Sequence, residues 1–134
     1  MYPEGTSDMS QLKLKQLQHE SDTWKRSLGF MMDENVQLKN RLAEIVRTEF
    51  DETLLEDIEN FQTNFIREDE MISLLKTDIA KLDKLLVRET FEDGQIVENI
   101  NRMLREIRRN IGVAETQFVK LKLEFNSYLL ENLP

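Results

Sequence analysis

The chain has no cysteine, two prolines, four glycines and a single histidine. Each scarcity excludes something. Without cysteine there can be neither disulfides nor thiolate metal sites. The one histidine, His19, has no Glu-x-x-His spacing. It cannot anchor a di-iron carboxylate centre, and a nucleophile–base–acid triad, which would have to use this one histidine, is not expected. Gly5, Gly29, Gly94 and Gly112 are scattered and form no phosphate-cradling loop. No apolar run approaches the roughly 20 residues that cross a bilayer. Met1 to Gly5 carries no basic stretch leading into an apolar core, so a cytoplasmic protein is expected. Basic residues are also outnumbered, 18 Lys and Arg against 26 Asp and Glu, for a formal net charge of −8. A field of that sign repels phosphate backbones and anionic lipid, so neither nucleic acid nor a membrane is an expected partner. The one basic stripe, Arg102, Arg105 and Arg109, has Glu98 and Glu106 within helical reach and reads as a solvated, salt-bridged face. Acidic pairs are abundant and for that reason carry no catalytic signal. No enzyme, catalytic residue, metal or cofactor is expected.

What is present is helix. Leu, Ile, Glu, Lys and Arg dominate a chain poor in turn-formers, a helical composition long enough for one domain. A first apolar seam runs Leu14, Leu17, Ser21, Trp24, Leu28, Met31, Asn35, Leu38, Leu42 and Ile45. Its steps alternate three and four residues without a slip, the roughly 3.5-residue repeat of a supercoiled helix. A second seam, out of phase with the first, runs Leu54, Ile58, Phe61, Phe65, Glu68, Ile72, Leu75, Ile79, Leu82 and Leu86. The phase change requires a break between Thr48 and Thr53, where Asp51 can cap the new helix and Phe50 can staple onto Leu55. The third seam is Val97, Ile100, Leu104, Ile107, Ile111, Ala114, Phe118, Leu121, Phe125 and Tyr128, preceded by the turn signal Asp93-Gly94.

These seams predict an all-α fold, a long antiparallel three-helix bundle with left-handed coiled-coil packing. Residues 1–8 are expected to be a flexible N-terminus. Residues 9–134 form one domain, with helices over about 9–47, 52–89 and 94–131. Aligning the seams predicts core layers of Trp24, Ile79 and Ile107, then of Leu28, Leu75 and Ile111. A third layer combines Asn35, Glu68 and Phe118.

The last layer joins the two most polar seam residues. A lone buried carboxylate costs several kcal/mol, so Asn35 is expected to donate to Glu68 and fix the helix register. The alternative is a polar core site for a small ligand or ion. Outside the seams, Phe30, Leu74 and Val113 fall at one level beside Gly29 and Gly112, which also match in register. Glycine inside a helix costs about 1 kcal/mol relative to alanine and permits close backbone approach. The waist formed by Gly29, Phe30, Leu74, Gly112 and Val113 is therefore a candidate interface for a protein partner or a second copy, a homodimer being the simplest case. A weaker exposed stripe is Val119, Leu123 and Leu130. The acidic run from Glu49 to Glu59 suits the start of the second helix.

The stretch His19-Glu20-x-x-x-Trp24-x-x-x-Leu28-x-Phe30-x-x-Asp33-Glu34, followed by Arg41-Leu42-x-Glu44-Ile45, resembles a group of uncharacterised small helical proteins of Bacteroidetes-type bacteria. The resemblance covers the first helix and implies a bacterial cytoplasmic origin. The layout of three long helices with a tryptophan in the first is also similar to spectrin repeats, although the third helix lacks their second tryptophan. This second likeness implies shared architecture and no shared function. The function expected from the sequence is a non-enzymatic interaction or scaffolding module.

Overall fold

The structure, a computed structural model, describes residues 3–48, 51–87 and 94–133. Three long helices account for nearly all of them: α1 (Pro3–Thr48), α2 (Leu55–Val87) and α3 (Gly94–Asn132). The described residues contain no strand. No helix among them is long and apolar enough to cross a membrane. The three helices pack against one another, with α2 lying along both neighbours and α1 and α3 approaching each other less closely.

Every described residue that is buried lies on one of the three seams, and the other seam members are half-buried. The seven-residue repeat places those positions on one stripe of each helix, and the stripe is what leaves water. Trp24 is a core residue, buried in the same apolar cluster as Leu28, Ile79 and Ile107.

Between α1 and α2, polar partners draw closer in sequence toward the end of α1. Ser21 and Asp83 are 62 residues apart, whereas Asn35 and Asp69 are 34 apart. Between α1 and α3 the separation is constant. Ser27 donates to Glu115, and Arg108 grips Glu20 through two nitrogens, each pair 88 residues apart. The Lys122–Glu34 ion pair repeats that spacing about two turns further along.

Helix α1 begins at Pro3. Residues 3–8 are part of this helix. Proline is well suited to a first helical position, where its missing N–H costs no bond. The seam carries no apolar signal there, because continuing it upstream of Leu14 meets Ser10, Ser7 and Pro3.

The break before α2 follows the chemistry expected of Asp51. In an extended conformation (φ −134°, ψ 122°), its side chain accepts the Thr53 N–H at 2.9 Å. A 3₁₀ turn, Glu52–Leu54, then leads into α2. The two hydrogen bonds from Thr53 hold the Asp51 carboxyl below its usual range. Glu52, Glu56 and Asp57 stand in the opening turns, where negative charge complements the helix dipole. Phe50 and Asp93, assigned to the staple and the second turn, lie outside the described residues.

Candidate functional site: a polar core layer and an apolar waist

The core divides into two clusters. One is built on Trp24, Leu28, Ile79, Leu104, Ile107 and their neighbours and ends at Ala114 and Phe118; the other contains Leu42, Ile45, Ile58, Phe65, Leu121 and Phe125. Leu38 packs against both. The polar residues Asn35 and Glu68 interrupt the apolar seams between them. Asn35 is 0% exposed and Glu68 5%.

Asn35 does not donate to Glu68, as the sequence had suggested. Its amide nitrogen donates to the Phe65 carbonyl at 2.9 Å and to Asp69 Oδ1 at 2.8 Å. An amide NH2 has two hydrogens, and both are used. The second Asp69 oxygen accepts from Lys39, one helical turn beyond Asn35. Asp69 reaches the layer from beside the seam, where its side chain keeps some contact with solvent.

The arrangement occurs twice. Ser21 donates to Asp83 Oδ1 at 2.7 Å, and Lys25 pairs with Asp83 Oδ2 at 2.5 Å. In both cases a polar seam residue of α1 and the lysine four positions later share one aspartate of α2. Ser21–Lys25–Asp83 and Asn35–Lys39–Asp69 stand fourteen residues apart along each helix. They fix the α1–α2 register, because a slip of either helix would leave a buried polar group without its partner. The signal was present in the sequence as a polar seam residue followed four positions later by lysine. Only the packing identifies the aspartates.

One part of the layer is unsatisfied. Asn35 Oδ1 and Glu68 Oε1 are buried without any hydrogen-bond partner. Burial, with the adjacent Asp69 carboxylate as a lesser cause, pushes Glu68 up from 4.5 to about 7. An open groove of about 400 Å³ lies one turn away between α1 and α2, lined by Lys39, Leu42, Ala43, Val46, Ile58, Gln62 and Ile66.

The waist is exposed on its outer side: Phe30 is 70% exposed, Leu74 68% and Val113 42%. Phe30 falls three residues after Ser27 and four before Glu34, both of which bond to α3. Residues at those spacings share a helix face, so Phe30 stands on the α3 side of α1. By the same periodicity Gly112 leans toward α1, while Val113 and Leu74 lean toward the α2–α3 groove. Four of the five waist residues thus surround the outer face of α3. Gly29 stands apart, four residues after Lys25 on the side that meets α2. A Cβ built on Gly29 or Gly112 would meet nothing within 4 Å, so the chain's own packing requires neither glycine.

Other surface features are ordinary. Among the described residues no three His, Cys, Asp or Glu side chains converge as metal ligands. His19 is exposed. Arg102 donates to Asn99 where a pairing with Glu98 had been expected, and the arginine of this stretch that binds a neighbouring helix is Arg108. The fold and these two features define a protein of three long helices packed against one another. Comparisons with protein families, with characterised proteins and with solved structures give no match.

Proposed function

We propose that this protein is a non-enzymatic interaction or scaffolding module that pairs with a second copy across the outer face of α3. The observation that carries the reading is the exposed Phe30 and Leu74 on either side of Gly112. Large apolar side chains grouped on a surface favour association. A helix glycine with open space above it costs stability and is explained by close approach from outside the chain. In this reading the bundle is antiparallel, with left-handed coiled-coil packing. The shrinking α1–α2 separations, the constant α1–α3 separation and the unbroken seven-residue repeat support that arrangement. The module works in the cytoplasm, without nucleic acid, membrane, metal or cofactor.

A second reading has one specific observation behind it. The unpartnered Asn35 Oδ1 and Glu68 Oε1 favour a core site for a small ligand or ion. Absolute mass by light scattering behind a sizing column, for the wild type and Phe30→Glu, tests the first reading. A dimer that the substitution renders monomeric is the expected result. A wild type that stays monomeric at high concentration would sink self-association. A thermal shift with a metabolite or cation would favour the second reading.

A further inference from the structure

Asn35 Oδ1 and Glu68 Oε1 are both acceptors, and no donor reaches either. The orientation of the Asn35 amide is not free. Turning it over would place its oxygen against the Phe65 carbonyl and the Asp69 carboxylate, two acceptors, in place of the donor that now serves both. The Asn35 oxygen must therefore face the rest of the layer. What the layer lacks is a hydrogen.

Charged groups surround this level on all three helices. Helix α1 brings Glu34 and Lys39, and α2 brings Arg67, Asp69 and Glu70; α3 brings Glu115 and Lys122. Most are engaged elsewhere. Lys39 is bound to Asp69, Lys122 to Glu34, and Glu115 to Ser27. The charge that bears on Glu68 is that of Asp69, which has the same sign. A buried carboxylate beside another carboxylate, with the nearby lysine already bound, is better neutral than ionised.

We propose that Glu68 is a proton-binding site in the core, holding its proton in the folded bundle and donating it to Asn35 Oδ1. The proton then joins α2 to α1 between the two core clusters, and its release weakens the bundle at that layer. This assignment does not depend on self-association through α3. A proton needs no ligand shell and no cavity. A metal ion would need several more oxygens than the layer supplies.

The consequence is a stability that depends on pH in a defined direction. With Glu68 near 7 when folded and 4.5 when unfolded, the folded state holds the extra proton between those values. The contribution is complete below about 4.5, falls as pH rises through the window, and is gone above about 7. A shift of that size corresponds to roughly a hundredfold or more in the folding equilibrium constant.

The experiment is urea unfolding of the wild type and Glu68→Gln from pH 5 to pH 8, with a carbon-detected NMR titration of the Glu68 carboxyl. The expected wild-type midpoint falls over this range, and the glutamine variant, always neutral and able to donate to Asn35, loses that fall. The expected carboxyl titration is centred near neutrality. A titration in the ordinary carboxylate range, as a bridging water would allow, overturns the proposal. Equal pH dependence in the two proteins does the same. Running the pH 8 arm in sodium, potassium and choline chloride provides a further check. A wild-type midpoint restored by one metal cation, and not by choline, would assign the layer to that ion and overturn the proton.

Discussion

Replacing the two helix glycines by alanine separates the chain's own packing from any packing between copies. In Gly29→Ala and Gly112→Ala the added methyl would enter open space, with nothing within 4 Å of it. No clash then offsets the gain in helix propensity, about 0.5–1 kcal/mol for each site. Much of that gain arises in the unfolded chain, which loses freedom when glycine is removed. Each variant should raise the thermal midpoint by a few degrees in a domain of this size. The measurement is urea or thermal unfolding at a concentration low enough to keep the chain monomeric. Either variant coming out less stable than wild type would refute the reasoning about its surroundings. Association should divide the two sites. Gly112 lies in the proposed contact over α3, so a methyl there holds the partner away and weakens pairing. Gly29 lies on the α2 side of α1, and its alanine variant should pair as the wild type does. Equal effects on association at both positions, or none at either, would refute the placement of the contact over α3.

Two further outcomes follow from the described packing. Leu104→Ala removes a buried side chain from the larger core cluster and should lower stability by about 2–5 kcal/mol, read from urea unfolding. Asp51→Ala removes the acceptor for the Thr53 N–H, so the start of α2 should fray, visible as faster amide exchange at Thr53 and Leu54; Asp51→Ser, which can still cap, should restore protection.

The helices and their buried faces were legible in the chain because burial here follows a single rule. Each helix turns one stripe inward, and the seven-residue repeat marks that stripe without reference to its neighbours. Every described buried residue lies on a seam read from the spacing alone, Ser21, Asn35 and Glu68 among them. The capping role of Asp51 was likewise visible, since a cap is a contact between residues two apart. The helical stretch from Pro3 was not visible, because no apolar seam residue precedes Leu14 in the repeat.

The partner of Asn35 lay beyond the sequence for a different reason. Glu68 occupies the matching seam position, but Asn35 hydrogen-bonds Asp69 and the Phe65 carbonyl. Which acceptor it reaches depends on the distance between two helices and on how each is rotated, to within a fraction of a residue. A seam identifies a face and does not set that rotation. The waist was subject to the same limit. Periodicity placed Gly29, Phe30, Leu74, Gly112 and Val113 at one level, and the bonds from Ser27 and Glu34 to α3 then showed on which side Phe30 stands. By itself the sequence determined which residues are buried, since each helix has one apolar face. Only the tertiary structure decided which polar groups meet across the helices and which are left without a partner, since those contacts depend on distances between elements far apart in the chain.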